Sequence, residues 1–187
     1  MIIIGISGKK QSGKDECCNV ILEVCKEKGL LAKRIAFADA LKSDICQMCL
    51  VSPAYLEANK HMFRLIMQGY GTDFKRTQYP DYWVKRWSAN VYEAYVKHEI
   101  KVLIVPDIRF ENEFKKIRSS NGILIRVKRK SIDTDSHVSE TEMDKIQDSQ
   151  FNFTIENYGT LENFRDDVKT KLEMYKILCI NPKTAQP

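Results

Sequence analysis

The sequence lacks any apolar run that approaches the ~20 residues of a bilayer-spanning helix, so we expect no membrane partner. It also lacks a signal-peptide pattern, because its first six residues are too short for one and have no basic start. We therefore expect a cytoplasmic protein. Internal repeats are absent as well, and a length of 187 residues suits one domain with inserts rather than two domains.

The sequence also lacks the cysteine and histidine spacings that are typical of metal sites and of catalytic triads. Six cysteines without a secretory signal are typical of reduced intracellular thiols. Cys46 and Cys49 form a C-x-x-C inside a helical pattern, but no second cysteine or histidine pair accompanies them, which favours buried thiols over a zinc site. His137 lies near Asp135 and Ser139 without a nucleophile at any motif spacing, so we do not expect a catalytic triad.

The formal net charge of +5 suits acidic partners. Part of the excess is concentrated in one stretch, formed by Lys115, Lys116, Arg118, Arg126, Lys128, Arg129 and Lys130. Because no aromatic stacking platform interleaves these residues, we interpret them as a solvated helix face with a clamp for small phosphates. We expect no stable nucleic-acid partner.

A glycine-containing loop follows the apolar run at residues 2–6, which predicts a buried strand, and a helical pattern follows the loop. The loop consists of Gly8, Lys9, Lys10, Gln11, Ser12, Gly13, Lys14 and Asp15. Its G-x-x-x-x-G-K spacing matches a P-loop, in which backbone N–H groups and the helix dipole bind a polyphosphate and the lysine reaches the β- and γ-phosphates. This context predicts an ATP site rather than a solvated glycine turn. Asp15 replaces the usual Ser or Thr, and its carboxylate remains a hard ligand for Mg²⁺.

Further apolar runs predict a sheet of parallel strands. Five strands are expected, at residues 2–6, 34–37, 102–105, 123–127 and 151–155. Helical patterns predict six helices. The first three run from the loop to Gly29, onward from an N-cap at Asp39, and from Ser52 to Gly69; the last three lie along the face formed by Trp83, Trp87, Val91 and Tyr95, from Phe110 to near Gly122, and from Leu161 to Leu172. Residues 69–80 are expected to form a loop. Alternating strands and helices give right-handed crossovers and a sheet covered on both faces.

We therefore predict an α/β protein with a three-layer α/β/α P-loop NTPase fold and a five-stranded parallel sheet. A single domain is expected over residues 1–187. Its core would comprise residues 1–51, 101–127 and 151–180, with a helical acceptor-binding insert at 52–100. The polar, aperiodic segment 128–150 is interpreted as a mobile lid.

Ligands of such sheets bind beyond the carboxyl ends of the strands. That edge gathers Gly8, Asp39, Asp107 and Asn157. Asp107 ends a buried strand, where P-loop enzymes carry a metal-organising acid, although a helix cap is the alternative. Arg109 is placed to reach a transferred phosphate, or else to form a salt bridge with Asp107 or Glu113.

The insert supplies groups for a second substrate. Arg64, Gln68 and Thr72 place a guanidinium, an amide and a hydroxyl near one helix end, which suits an acceptor phosphate and a base edge. A solvated helix terminus is the alternative. Trp83 and Trp87 have the helical spacing of core residues more than of a stacking platform.

Ordered motifs along nearly the whole chain resemble the deoxynucleoside monophosphate kinases of tailed bacteriophages. The matching segments are Ser7 to Asp15, Arg64 to Gln68, Gly71-Thr72-Asp73, Tyr82 to Lys85, Val105 to Arg109, Asp135 to Glu140 and Ile155 to Glu162. The resemblance implies that ATP with Mg²⁺ is the phosphoryl donor and that deoxynucleoside monophosphates are the acceptors. It also implies a homodimer as one form of assembly, and the host cytoplasm as the location if the gene is phage-encoded.

The resemblance also implies roles for single residues. ATP binding falls to the loop residues 8–15 and Asn157, and the metal to Asp15 and Asp107. Acceptor binding falls to Arg64, Gln68, Thr72, Trp83 and Arg109, and we add Asp39 because of its place at the carboxyl edge of the sheet. Catalysis falls to Lys14, Asp107, Arg109 and a lid arginine, for which Arg129 is preferred over Arg126.

Other functions share parts of this pattern. Phosphomevalonate kinases have a similar Gly-Lys-x-x-Ser-Gly-Lys-Asp loop, so the same donor site could serve a non-nucleotide acceptor. A nucleotide-binding module without turnover and a basic nucleic-acid binder are the non-enzymatic alternatives.

Overall fold

A computed structural model describes residues 1–130 and 137–178. Its sheet consists of five strands, β1 Ile2–Ser7, β2 Ala32–Arg34, β3 Val102–Ile108, β4 Ile123–Lys128 and β5 Phe153–Glu156. The strands lie in the order β2-β3-β1-β4-β5, and every neighbouring pair is parallel. The predicted parallel sheet is confirmed, and β1 with its following loop lies at the centre.

Helices connect the strands. They are α1 Lys14–Glu27, α2 Ala38–Cys49, α3 Pro53–Ala58, α4 Lys60–Gln68, a π-helix Gly69–Arg76, α5 Tyr82–His98, α6 Glu111–Ser119, α7 Val138–Thr141, 3-10 turns Glu142–Lys145 and Asp148–Gln150, and α8 Leu161–Met174. Within the described ranges, none of them is long and apolar enough to cross a bilayer.

The sheet is covered on both faces. On one face, Ile4, Ile6 and Ile104 pack with buried residues of α1 and α8. On the other, Leu103 and Leu124 pack with buried residues of α5 and α6. The alternation follows from the two-residue period of a strand, so the architecture is the predicted three-layer α/β/α arrangement.

Two predicted strand positions are shifted. β2 covers Ala32–Arg34 instead of 34–37, because the chain leaves the sheet after Ile35, whose N–H still donates to the Ile104 carbonyl at 3.0 Å. β5 begins at Phe153 instead of 151. The predicted N-cap at Asp39 is wrong. Phe37 is the N-cap of α2, and Asp39 lies in the first turn, where its carboxylate accepts the Ala36 N–H at 2.8 Å.

The first part of the insert differs from the single helix and loop predicted for residues 52–80. Ser52 is the expected N-cap, since its Oγ accepts the Tyr55 N–H at 3.1 Å, but the helix breaks at Asn59. Residues 69–76 form a π-helix rather than a loop. The Trp83 indole N–H donates to the Gly71 carbonyl at 2.8 Å, which pins this helix against α5.

Within the segment predicted as a lid, residues 137–150 form short helical turns that pack on the domain in this structure, and movement of this segment stays a prediction. Met143 and Ile146 are buried in the same cluster as Phe151, and the Asp148 carboxylate pairs with Arg126 at 2.7 Å. Residues 131–136, including Asp135, lie outside the described ranges.

Two smaller predictions had mixed outcomes. Tyr95, expected on the inner face of α5, is 51% exposed, and Ala94 is buried instead. Cys46 is a buried free thiol as expected, and Cys49 is a partly buried one.

Candidate active site

The loop between β1 and α1 has a backbone that only glycine fits at two places. Gly13 is the N-cap of α1 with φ 105° and ψ 16°, in the left-handed region. A Cβ added to Gly13 would lie 2.6 Å from Asn157 Nδ2, and one added to Gly8 would lie 2.4 Å from the Val127 carbonyl oxygen. The loop is therefore closely packed against the ends of β4 and β5, with its N–H groups preceding the positive end of α1.

Lys14 lies across this loop. Its ammonium donates to the carbonyls of Gly8 at 2.8 Å and Lys9 at 2.6 Å. Burial, with a contribution from Arg109, lowers the pKa of Lys14 to about 8. A phosphate oxygen would offer this buried cation a stronger partner than two neutral carbonyls.

Polar groups around the loop fit an anion and a metal. Among the described residues the buried Ser12 hydroxyl has no hydrogen-bond partner. The side chains of Lys10, Gln11 and Asp15 face solvent. The same ranges contain no cluster of three His, Cys, Asp or Glu residues that could hold a metal alone. The exposed Asp15 carboxylate beside the loop is a hard oxygen ligand of the kind that Mg²⁺ prefers, and phosphate oxygens and water would complete its coordination.

Asp107 is a helix cap in this structure. Its carboxylate accepts the N–H groups of Phe37 at 2.9 Å and Ala38 at 2.8 Å, at the start of α2. Burial raises the pKa of Asp107. The two hydrogen bonds act in the opposite direction and lower this pKa, but burial has the larger effect. Asp39 lies nearby but pairs with Arg34 at 3.1 Å.

Most predicted acceptor residues converge on one cleft beside α2, which we call the acceptor cleft. Its walls include Arg64, Gln68, Thr72, Trp83, Asp107 and Arg109, together with Phe37 and Phe110. Asp39 does not line it. Trp83 is only 2% exposed, so it forms a core wall of the cleft rather than a free stacking surface.

A buried ion pair that sequence reasoning missed supports this cleft. Glu113 is 1% exposed and its carboxylate pairs with Arg76, which lies 3.6 Å over the Phe110 ring. The second Glu113 oxygen accepts the Arg109 N–H at 2.8 Å and the Phe110 N–H at 3.2 Å. Glu113 thus holds the backbone of Arg109, whereas the predicted side-chain salt bridge of Arg109 to Asp107 or Glu113 is not found. Local spacing carried no signal for a pair between the π-helix and α6.

A second cleft, which we call the donor cleft, adjoins the loop. It is lined by Ser7, Gly8, Lys9, Arg126, Lys128, Arg129 and Tyr158. The Arg126 guanidinium is tied to Asp148 and to the Met143 carbonyl at 2.7 Å, while Arg129 is exposed.

The two clefts share a wall. Arg109, Ser139 and Glu140 line both of them. The Arg109 guanidinium pairs with the Glu140 carboxylate, and Arg64 approaches the same carboxylate oxygen at 3.8 Å. Glu140 was not among the predicted site residues, although it closes the motif segment that begins at Asp135.

Part of this chain matches a known family, and two known proteins show weaker similarity to it. A family model described as deoxynucleotide monophosphate kinase matches residues 42–168. A putative deoxynucleotide monophosphate kinase of Acanthamoeba polyphaga mimivirus is 25% identical over 190 residues, covering 90% of this chain and 94% of that protein. The crystal structure of a gluconokinase from Sinorhizobium meliloti 1021 matches 93% of both chains with 15% identity and a TM-score of 0.48.

The family match spans more than half of the chain and includes the three arginines that line the acceptor cleft, Arg64, Arg76 and Arg109. The mimivirus relative comes from a giant virus, so it does not support the expectation that this chain comes from a tailed bacteriophage. The phosphate loop, the adjoining clefts and the match agree on one conclusion. The chain belongs to the deoxynucleotide monophosphate kinase family and is a phosphotransferase.

Proposed function

We propose that this kinase transfers the γ-phosphate of ATP to the 5′-phosphate of a deoxynucleoside monophosphate. The observation that carries the proposal is the shared wall: the donor and acceptor clefts meet at Arg109. Phosphoryl transfer depends mostly on positioning and charge neutralisation, so two anion sites that meet at one guanidinium suit this reaction.

On the donor side, the loop N–H groups and the Lys14 ammonium would bind the triphosphate, with the Ser12 hydroxyl as a further donor. Lys9 lies at the mouth of the same loop and lines the donor cleft. Mg²⁺, when bound with ATP, would offset the charge of the β- and γ-phosphates, and Asp15 and Asp107 are the carboxylates proposed to hold it. The exposed Arg129 is proposed to reach the transferred group.

On the acceptor side, Arg64 would bind the 5′-phosphate with both guanidinium nitrogens, as planar forks do with phosphates. Gln68 and Thr72 would reach the nucleoside through hydrogen bonds, and Phe37 and Phe110 offer apolar walls for a base. Arg109 would stabilise the charge that passes between the two phosphates.

A coupled assay of ADP formation tests this function. Each deoxynucleoside monophosphate is supplied with ATP and Mg²⁺, beside the matching ribonucleotides and phosphomevalonate. We expect ADP to form with at least one deoxynucleotide and the corresponding diphosphate to accumulate. If ADP forms with phosphomevalonate and with no nucleotide, the protein is a phosphomevalonate kinase instead. If the protein binds ATP but forms no ADP with any of these acceptors, a kinase activity on these substrates is rejected.

A further inference from the structure

Glu140 brings a buried carboxylate to the junction of the two clefts. The residue is 7% exposed and follows His137 at the start of the short helix α7. Arg109 pairs with one of its oxygens, and Arg64 lies 3.8 Å from that same oxygen. A carboxylate between two guanidinium groups has the chemistry of a phosphate ligand at the same position.

The surrounding contacts tie residues 137–142, which we call the plug, to both substrate sites. On the acceptor side, Arg109 donates to the Ser139 carbonyl at 3.3 Å in addition to its pair with Glu140. On the donor side, Lys9 of the phosphate loop donates to the Glu140 carbonyl at 2.8 Å, and it also pairs with Asp144, two residues after the plug. The cations in these contacts, Arg109 and Lys9, line the clefts to which the proposed function assigns the two substrate phosphates.

Among the described residues, the apolar anchor of the plug lies on its C-terminal side. Met143 and Ile146, which follow it, are buried in the core beside Phe151. Within the plug, Val138 is 40% exposed, and the buried Glu140 carboxylate pairs with Arg109. The plug can therefore leave the clefts without disrupting the core around Met143.

We propose that Glu140 is an internal substitute for a substrate phosphate, and that the plug closes the junction until donor and acceptor phosphates together displace it. This inference rests on the proposed function. A bound monophosphate beside a retained Glu140 would set like charges against each other in a site of low dielectric constant. Either substrate alone competes for only part of the ties, so full opening requires both. A kinase gated in this way does not expose ATP to water before the acceptor is present.

Two measurements without turnover test the plug. The first is amide hydrogen exchange in residues 137–142, where the Glu140 N–H donates to the His137 carbonyl at 2.8 Å. In the unmodified protein without added anions, we expect slow amide exchange in these residues. Inorganic phosphate alone or tripolyphosphate alone should change the rate little, whereas the two together should make exchange at least about fivefold faster. Unchanged exchange with both probes would overturn the proposal.

The second measurement is the affinity of Glu140→Gln for inorganic phosphate, followed by phosphorus NMR. This variant keeps the side-chain shape but loses the competing charge. We expect its phosphate dissociation constant to fall roughly fivefold to tenfold, and its plug to exchange quickly without any probe. Glu142→Gln is the matched control, because that carboxylate pairs with the exposed Lys145 instead of an arginine of the clefts, so its replacement should change neither quantity. A weaker phosphate affinity in Glu140→Gln would make Glu140 a positioning residue for the two arginines and overturn the plug.

A second variant covers the case in which Glu140→Gln does not fold. Asp144→Asn cuts the exposed tie to Lys9 and should bind tripolyphosphate roughly threefold more tightly, as expected for one exposed ion pair. Unchanged affinity would count against the plug. These readouts stay valid if no deoxynucleotide is phosphorylated. Conversely, if the protein phosphorylates a deoxynucleotide while the exchange rates and the phosphate affinities stay unaltered, that result would reject the plug and leave the proposed function intact.

Discussion

The side-chain amide of Asn157 donates a hydrogen bond to the Ser12 carbonyl at 2.9 Å, so the loop after β5 supports the phosphate loop directly. The Asn157 N–H in turn donates to the Lys128 carbonyl at 2.7 Å, which fixes Asn157 to the end of β4. The edge of the sheet thereby sets the conformation of a loop located far away in sequence. Asn157, predicted to bind ATP, has at least this supporting role.

Replacing Asn157 by Ala should weaken ATP binding without removing it. The loop N–H groups remain, but one hydrogen bond that orients them is lost, so we expect the ATP dissociation constant to rise roughly fivefold, equivalent to about 1 kcal/mol. Calorimetric titration measures this change. Asn163→Ala, in the exposed first turn of α8, is the control and should leave ATP affinity unaltered. Equal affinities for all three proteins would show that Asn157 does not shape the loop.

Arg64→Lys tests the acceptor site. The substitution keeps the charge but loses the planar fork, so the acceptor KM should rise by about tenfold while ATP affinity stays nearly the same. Arg86→Lys is a matched control, since Arg86 pairs with Asp44 outside the acceptor cleft. An equal loss of ATP binding, or an unchanged acceptor KM and kcat, would contradict the role of Arg64.

Local pattern was sufficient for much of the fold. The phosphate loop, the strands and their parallel arrangement follow from glycine spacing and apolar runs, which act within a few residues. The π-helix does not, because the Trp83 indole that holds Gly71 lies on another helix. Glu140 is a similar case. It meets Arg109 over 31 residues of sequence, and its neighbours are too polar to predict burial. Charged residues buried by distant partners leave no periodic signal.

The buried pair of Glu113 and Arg76 makes a prediction for stability. Glu113→Ala leaves the Arg76 cation and the Arg109 N–H without their acceptor, so we expect the free energy of unfolding to fall by about 3–5 kcal/mol. Urea denaturation measures it. Glu111→Ala on the same helix removes only an exposed i,i+4 pair with Lys115 and should cost under about 0.5 kcal/mol. A similar small loss for both variants would refute the supporting role of Glu113.

The lowered pKa of Lys14 predicts a pH effect on stability. Its pKa is about 8 in the folded protein against an ordinary 10.5, so between these values the unfolded chain binds more protons. The destabilisation by the buried charge is complete below pH 8 and is relieved as pH rises toward 10.5. Relative to Lys14→Met, the unmodified protein should therefore gain stability across this window. Parallel pH profiles of the two proteins, measured by denaturation, would contradict the buried charge.

The same pKa predicts proton uptake on ATP binding. Triphosphate oxygens favour the charged ammonium, so binding at about pH 8.5 should protonate Lys14, whereas at about pH 6.5 the proton is already present. Calorimetry in buffers of different ionisation enthalpy measures the uptake. Lys14→Arg keeps the charge at both pH values and should show no such difference. Equal uptake at the two pH values would mean that Lys14 does not contact the phosphates.

Asp15 distinguishes a metal ligand from a helix-stabilising residue. It lies in the first turn of α1, where an acidic side chain gains up to about 1 kcal/mol from the helix dipole, and its exposed carboxylate is also placed beside the loop for Mg²⁺. As a ligand, Asp15→Asn should raise the Mg²⁺ concentration for half-maximal rate and lower kcat, with little change in ligand-free melting temperature. Glu16→Gln, in the same turn but paired with Arg165, should leave the Mg²⁺ dependence unchanged. If Asp15→Asn lowers only stability, the carboxylate acts on the helix, and Asp107 would have to bind the metal while it also caps α2.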